Sequence, residues 1–329
     1  MSTATGVQMA ARYRNFGAPV LGVCGYSGSG KTTLLEAVIP QLRGRGLAVA
    51  VVKHDAHGFR MDQPGKDSDR FFRVGATVVL RGPSEQAQRR GASACVPLES
   101  TLADLARDHD LILVEGHKGT DVPKLWVSDE KGSLPPSTVK EVLRVLPWNS
   151  ERLEVLSNFI DDWLPRTWNA RTLCAGLLVG GNNSPLTAKT SLTNGLGNRA
   201  GFEFAILGSG SVPATMQNES RLPEVPEVEG ALAGLLAAHR WNPRAAWIVS
   251  DCSHPWLNRA DGEFLAKQRR PGAWTIMPRQ QNEHSVFGLF EPQALEVLER
   301  AILERGAENV QIADLRQHPR TVIIPDVTK

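Results

Sequence analysis

The sequence predicts an α/β protein of two successive halves, each a mostly parallel sheet flanked by helices. Three observations carry this. Apolar runs of strand length alternate with segments whose apolar residues recur at helical spacing. The first run leads into a complete G-x-x-x-x-G-K-[ST] loop, a motif that joins a strand to a helix. The alternation pauses near Pro165 and resumes at Thr172.

In the first half, Val20–Cys24 is a buried strand, and Leu34, Leu35, Val38, Ile39 and Leu42 mark the helix after the loop. A second strand spans 47–52, a helix 68–74, a third strand 77–80 and a helix 101–106. Residues 110–116 form a fully buried strand ending in Glu115, and 123–127 a short one. Residues 128–138, with Pro135-Pro136, form a loop. Leu153, Leu156, Phe159, Ile160 and Trp163 make 150–164 an amphipathic helix. In the second half, strands are expected at 172–179, Glu203–Leu207, 245–250, 273–277 and 285–290, with helices at 228–239 and Pro292–Arg305. Residues 182–221, rich in Asn, Ser, Gly and Thr, are expected to hold long loops. The implied organisation is a loose leader (1–17), a nucleotide-binding domain (18–165), a linker (166–171) and a second α/β domain (172–329).

The loop is Gly25-Tyr26-Ser27-Gly28-Ser29-Gly30-Lys31-Thr32, followed by Thr33. Its glycines let the backbone curl so that N–H groups face phosphate oxygens, and the helix start adds positive potential. Lys31 reaches the outer phosphates and the Thr32 hydroxyl suits Mg²⁺. This half therefore binds a nucleoside triphosphate. A magnesium site also needs an acid from the end of a neighbouring buried strand, and Glu115 meets that need, with Gly116 leaving room beside it. Lys53-His54 ends the second strand, where ligands bind in such sheets. In Asp62-x-x-Gly65-Lys66-Asp67-Ser68, Asp67 or Ser68 either caps the next helix or belongs to a loop closing over the γ-phosphate and metal.

The chain has 329 residues, 41% hydrophobic and 22% charged, with a net charge of +2. That length accommodates two cores, and the small charge excludes a dedicated nucleic-acid or membrane-surface binder. With no run of 18 apolar residues and no cleavable signal, the expected location is the cytoplasm. Cys24, Cys95, Cys174 and Cys252 lie far apart and read as reduced thiols. His54, His57, His117, His254 and His284 are too scattered to argue for a metal site, and the eight Trp residues read as core or interface.

Several elements together carry a family resemblance: Gly25 to Thr33, Val52-Lys53-His54, Asp62-Gln63-Pro64-Gly65-Lys66-Asp67-Ser68, Val74-Gly75-Ala76, and Leu113-Val114-Glu115-Gly116-His117-Lys118 with Pro123-Lys124. In this order they resemble the molybdopterin-guanine dinucleotide biosynthesis protein B (MobB) family over residues 18–165. The resemblance implies a P-loop NTPase fold and a homodimer that binds GTP and Mg²⁺, hydrolyses GTP weakly and assists attachment of GMP to molybdopterin. It further implies that Gly28, Gly30, Lys31 and Thr32 hold phosphates, Thr32 and Glu115 the Mg²⁺, and Asp67 the closing loop. The family's acidic residue after a late strand, which helps select guanine, is replaced here by Pro147 and Trp148. That leaves ATP open.

Leu177-Leu178-Val179-Gly180-Gly181 resembles the opening of the partner nucleotidyltransferase family, MobA. The loop that follows there carries Ser, Arg, Gly and Lys. Here Pro185 stands at the Arg position, the later Gly is missing, and Lys189 matches the Lys with a shift of one residue. Val249-Ser250-Asp251 resembles the strand whose Asp binds Mg²⁺ beside the leaving pyrophosphate. Met277-Pro278-Arg279 and the run from Phe287 to Pro292 resemble the later strand and helix start. The implied second half is transferase-like, with Asp251 and Lys189 as catalytic candidates, and the altered loop favours impaired catalysis. Molybdopterin or the molybdenum cofactor, a separate MobA-type transferase and a molybdoenzyme are the implied partners. Two competing classes are an ATP-dependent small-molecule kinase and an NTP-dependent regulatory switch; no Arg-rich lid follows Glu115 to favour the kinase.

Overall fold

The computed structural model describes residues 16–55, 58–91, 96–180, 203–212, 216–223, 225–251, 259–279 and 286–325. Among them no helix is long and apolar enough to cross a membrane.

In the first half, strands β1 (Val20–Cys24), β2 (Val49–Lys53), β5 (Leu111–Glu115), β6 (Lys124–Val127) and β7 (Val142–Leu146) form one sheet in the order β2-β5-β1-β6-β7. Every pairing in it is parallel. Its apolar central strands β1 and β5 are buried throughout, which is what cover on both faces demands. One face packs on helix α1 (Lys31–Gly44) and helix α4 (Arg152–Asn169) through Leu34, Val38, Leu156 and Ile160. The other packs on Phe16 and on Leu102 of helix α3 (Leu98–Leu105). Helix α2 (Asp67–Arg73) follows the loop after β2.

The structure departs from the sequence expectation in three places here. The strand expected at 77–80 is β3 (Val78–Arg81), but it does not join the parallel sheet. It pairs antiparallel with β4 (Gln86–Arg89) in a separate hairpin closed by the Gly82 N–H donating to Glu85 O at 2.8 Å. A turn this short permits only the antiparallel partner. Phe16 and Gly17, expected in a loose leader, are buried in the first half. Helix α4 runs through Pro165 to Asn169, so most of the expected linker is helical. A proline removes one helical N–H. The stripe Leu156, Ile160, Leu164 and Trp168 offsets that loss by burying four side chains at i, i+4 spacing.

The second half forms a seven-stranded sheet in the order β10-β9-β8-β11-β13-β12-β14. Its strands are β8 (Leu173–Leu178), β9 (Glu203–Leu207), β10 (Arg221–Leu222), β11 (Ala246–Asp251), β12 (Thr275–Pro278), β13 (Phe287–Phe290) and β14 (Thr321–Ile324). Only β13 runs antiparallel to its neighbours. Helices α5 (Gly230–Trp241), α6 (Arg259–Lys267), α7 (Pro292–Arg305) and α8 (Ile312–Gln317) complete it. Of these elements, β10, α6, α8 and β14 were not expected. The two-residue β10 and the six-residue α8 are too short for periodicity to register.

The two sheets meet at their amino-terminal edges. Glu291, wholly buried, accepts from Trp168 Nε1 (3.1 Å), Arg171 Nη2 (2.7 Å), Arg269 Nε (2.8 Å) and Arg269 Nη2 (3.1 Å). Arg171 also donates to Gly17 O, ahead of β1, which accepts Gln293 Nε2 at 2.9 Å as well. Burial pushes the Arg171 guanidinium down to about 10 against the pull of Glu291. Burial by itself would raise the Glu291 carboxyl; Arg269 and Arg171 hold it below the ordinary range. Asp110, ahead of β5, accepts from Ala48 N (2.7 Å), Gly272 N (3.1 Å), Trp274 Nε1 (2.7 Å) and Arg320 Nη1 (3.1 Å). Gly17, Ala48 and Asp110 precede β1, β2 and β5; Arg171, Trp274 and Arg320 precede β8, β12 and β14. The carboxyl ends of the parallel strands in the two sheets therefore point away from the shared boundary.

Candidate functional site

The turn from β1 into α1 is shaped by its glycines. Gly28 and Gly30 take φ of 77° and 78°, the left-handed region that favours glycine. A Cβ on Gly25 would stand 2.5 Å from Val127 O. Gly30 caps α1 without a side-chain hydrogen bond, so the first N–H groups of the helix, at Lys31, Thr32 and Thr33, are presented for an anion. Lys31 arches back over the loop, its Nζ donating to Tyr26 O at 2.8 Å and Ser29 Oγ at 3.4 Å. Burial lowers the Lys31 ammonium below its ordinary value, with Glu115 opposing. Ser29 is buried and Ser27 exposed.

Parallel pairing brings the acid to the loop. Register places Glu115 beside Val23 of β1 and Lys53 of β2. Thr32 Oγ1 donates to Glu115 Oε1 at 3.1 Å, and Lys53 Nζ lies 3.8 Å from the same oxygen. A hydroxyl and a nearly buried carboxylate, both hard oxygen donors, fit Mg²⁺ at the start of a phosphate-binding helix. Behind them the His54 N–H donates to Glu115 O at 3.0 Å, and Cys24 Sγ donates to Gly116 O at 2.7 Å. His54 and His117 stand with ring centroids 4.6 Å apart, and burial with the neighbouring His54 lowers the His117 imidazole.

Of the sequence-derived residues, the structure thus brings together Gly25 to Thr33, Lys53, His54 and Glu115. Asp67 sits exposed at the start of α2, 3.5 Å from Arg70. The buried acid of that helix is Asp69, which accepts from Gly65 N, Arg73 and Arg89. Asp251 ends β11 opposite Leu178 of β8 and accepts from the Val286 N–H. This is the strand pair at which the order of the second sheet reverses, and crevices at such points hold ligands in open α/β sheets. Lys189 lies outside the described residues.

Sequence reasoning missed the loop's neighbours. Arg152, from the start of α4, donates to Ser29 O at 3.3 Å and lies 4.5 Å from the Trp148 ring centroid. Thr33, Leu34, Trp148, Asn149, Arg152 and Leu153 line a cavity of about 430 Å³ against α1. Lys118 stands over the rings of Tyr26 and Trp126, themselves edge to face at 5.2 Å. No local signal marks Arg152, because its role is set by where α4 packs. In the second half His239, Glu296 and Glu299 converge within 4.8 Å. Arg107, Arg300 and Arg240 engage those carboxylates, so the group reads as an ion-pair network.

Residues 20–146 match the family model described as molybdopterin guanine dinucleotide synthesis protein B. A molybdopterin-guanine dinucleotide biosynthesis adapter protein of Haemophilus influenzae is 34% identical over 169 residues, covering 46% of this chain and 93% of the relative. The Escherichia coli protein of that name is 31% identical, covering 45% and 94%. A crystal structure of molybdopterin-guanine biosynthesis protein B aligns over 44% of this chain and 98% of its own at 26% identity, with a TM-score of 0.35.

Proposed function

This chain belongs to the family of molybdopterin guanine dinucleotide synthesis protein B, and on that premise we propose that it binds GTP with Mg²⁺ and assists attachment of GMP to molybdopterin. The observation that carries the reading is the Thr32–Glu115 contact beneath an uncapped, glycine-opened helix start. In it, the backbone N–H groups of Gly28 to Thr33 cradle phosphate oxygens, and Lys31 swings from Tyr26 O onto the outer phosphates. Thr32 and Glu115 hold the Mg²⁺, which when bound neutralises phosphate charge. Lys53 and His54 border the outer-phosphate side, and Asp67, the first residue of α2, stands where the loop that closes over it ends. Arg152 and Trp148 flank the cavity where a base has room beside the loop.

The second half is proposed as a transferase-like domain of impaired catalysis, with Asp251 and Lys189 as its remaining candidates. The position of Asp251 at the switch point of the second sheet supports it. The reading includes a homodimer, supported by exposed Val51 and Leu143 on the two edge strands of the first sheet. Its partners are molybdopterin and a separate transferase, and its setting is the cytoplasm.

The test is a pair of titrations with GTP and ATP, followed by an assay of GMP attachment with a separate transferase. GTP preference, its loss in Lys31→Ala, and more product when this chain joins the transferase are expected. ATP preference with turnover of a phosphate acceptor would refute the reading in favour of a kinase.

A further inference from the structure

The turn from β7 into α4 lies beyond the stretch, 20–146, that the family model matches. With the start of α1 it closes the cavity of about 430 Å³ beside the phosphate loop. Thr33 lines that cavity and directly follows the loop, so a base carried on the sugar of a bound triphosphate arrives there. Among the described residues, Arg152 is the one charged side chain in the lining, and no carboxylate joins it. Its guanidinium lies 4.5 Å from the ring centroid of Trp148, which is 42% exposed. Nη1 donates to Ser29 O at 3.3 Å, while Nε and Nη2 have no acceptor among the described residues. A Cβ on Gly30 would stand 2.7 Å from Nη2, so a glycine there lets the guanidinium lie against the loop.

A purine offers two edges to a protein. A carboxylate reads guanine by accepting from its ring N1–H and 2-amino group, and Pro147 and Trp148 stand where the resemblance places such an acid. A guanidinium reads the opposite edge, where guanine presents two acceptors, O6 and N7. Adenine sets an amino donor beside its N7, and a guanidinium has no acceptor to meet it. We propose that Arg152 determines base specificity in this chain, its fork donating to O6 and N7 of guanine while the exposed part of the Trp148 indole stacks on the ring. The inference rests on the functional reading above, in which Lys31 and Thr32 hold the triphosphate. The Ser29 and Trp148 contacts hold the fork in place beforehand, so little side-chain freedom is lost when the base enters. The 2-amino group, with no carboxylate to accept from it, is left unread.

The test is a titration of the full chain with magnesium and, in turn, GTP, 7-deaza-GTP, ITP and ATP. In the wild type 7-deaza-GTP, which lacks only the N7 acceptor, should bind roughly fivefold or more weaker than GTP, and ATP weaker still. ITP, which lacks only the 2-amino group, should bind as GTP does. These arms need no variant. Arg152→Met removes the donors, so the ratio of GTP to 7-deaza-GTP affinity should fall to about one and the preference over ATP should shrink with it. A residue that merely braced the loop would weaken all four nucleotides alike and leave the ratios unchanged, which would overturn the assignment. Equal binding of GTP and 7-deaza-GTP by the wild type, or ITP as weak as 7-deaza-GTP, would overturn it too. GTP binding that ignores N7 sinks this inference and leaves the functional reading standing. An N7-sensitive GTP site in a chain that does not assist GMP attachment upholds Arg152 and refutes that reading, and failure to bind GTP refutes both.

Discussion

Replacing Glu291 by Gln is the most informative test of how the two halves are joined. In the native protein one carboxylate faces two guanidinium groups, all with side chains no more than 2% exposed. Glu291→Gln keeps the shape and removes the only anion of the triad, leaving Arg171 and Arg269 buried together. Breaking such a group by deleting one partner costs about 3–5 kcal/mol, or a melting temperature roughly 10 °C lower at about 2–4 °C per kcal/mol. Arg171→Met is a control of opposite character. It leaves a balanced pair in which Arg269 contacts both Glu291 oxygens, and Gly17 O keeps its bond from Gln293. Its loss should be about 1–3 kcal/mol. Urea unfolding would be followed by GTP binding for the first half and by tryptophan fluorescence for the whole chain. Because the triad reaches Gly17, both transitions should shift together. An unshifted GTP-binding transition, or a greater loss in Arg171→Met than in Glu291→Gln, would refute the reasoning.

Three further outcomes follow from the same geometry. Gly30→Ala places a Cβ at φ 78° and 2.7 Å from Arg152 Nη2, so about 1–2 kcal/mol of backbone strain is expected together with weaker GTP binding, measured by melting and titration. Glu115→Gln should abolish most of the difference between GTP affinity with magnesium and with EDTA; a difference kept at the wild-type size would exclude Glu115 from the metal site. The hydrogen bond that the His109 ring donates to the Asp108 carboxylate raises the His109 imidazole above its ordinary value. That contribution is fully present below the unfolded pKa of His and is lost as pH rises through the folded value. His109→Gln should therefore flatten the pH dependence of stability near and just above neutrality, and an unchanged profile would contradict it.

The phosphate loop was legible because its geometry is local: Gly28, Gly30, Lys31 and Thr32 are fixed by a few consecutive residues. Glu115 was legible for a different reason. A buried parallel strand must end beside its neighbour, so an acid at its carboxyl end meets a loop 83 residues away in sequence. Contacts without either constraint left no trace. Arg152 reaches Ser29 across 123 residues, and Asp110 meets Trp274 across 164. Asp67 drew attention by motif, whereas the acid that organises α2 is Asp69, marked only by its burial against Arg73 and Arg89. Pro165 was read as a break, and the burial of Trp168 overruled it.

The meeting of the two sheets at their amino-terminal edges bears on which mechanism is feasible. From that boundary β5 runs five residues to Glu115 and β11 six residues to Asp251, about 17 Å and 20 Å at ~3.3 Å per residue. Laid end to end these place the two carboxylates about 35 Å apart, and even at right angles about 25 Å. Reacting groups must come within about 3–3.5 Å. A triphosphate held by Lys31 and Thr32 therefore cannot be the donor for a transfer at Asp251 of the same chain. Whatever the second half binds must reach it from solvent or from another molecule. The geometry thus favours a first half that acts on a separate transferase over one that feeds its own neighbour.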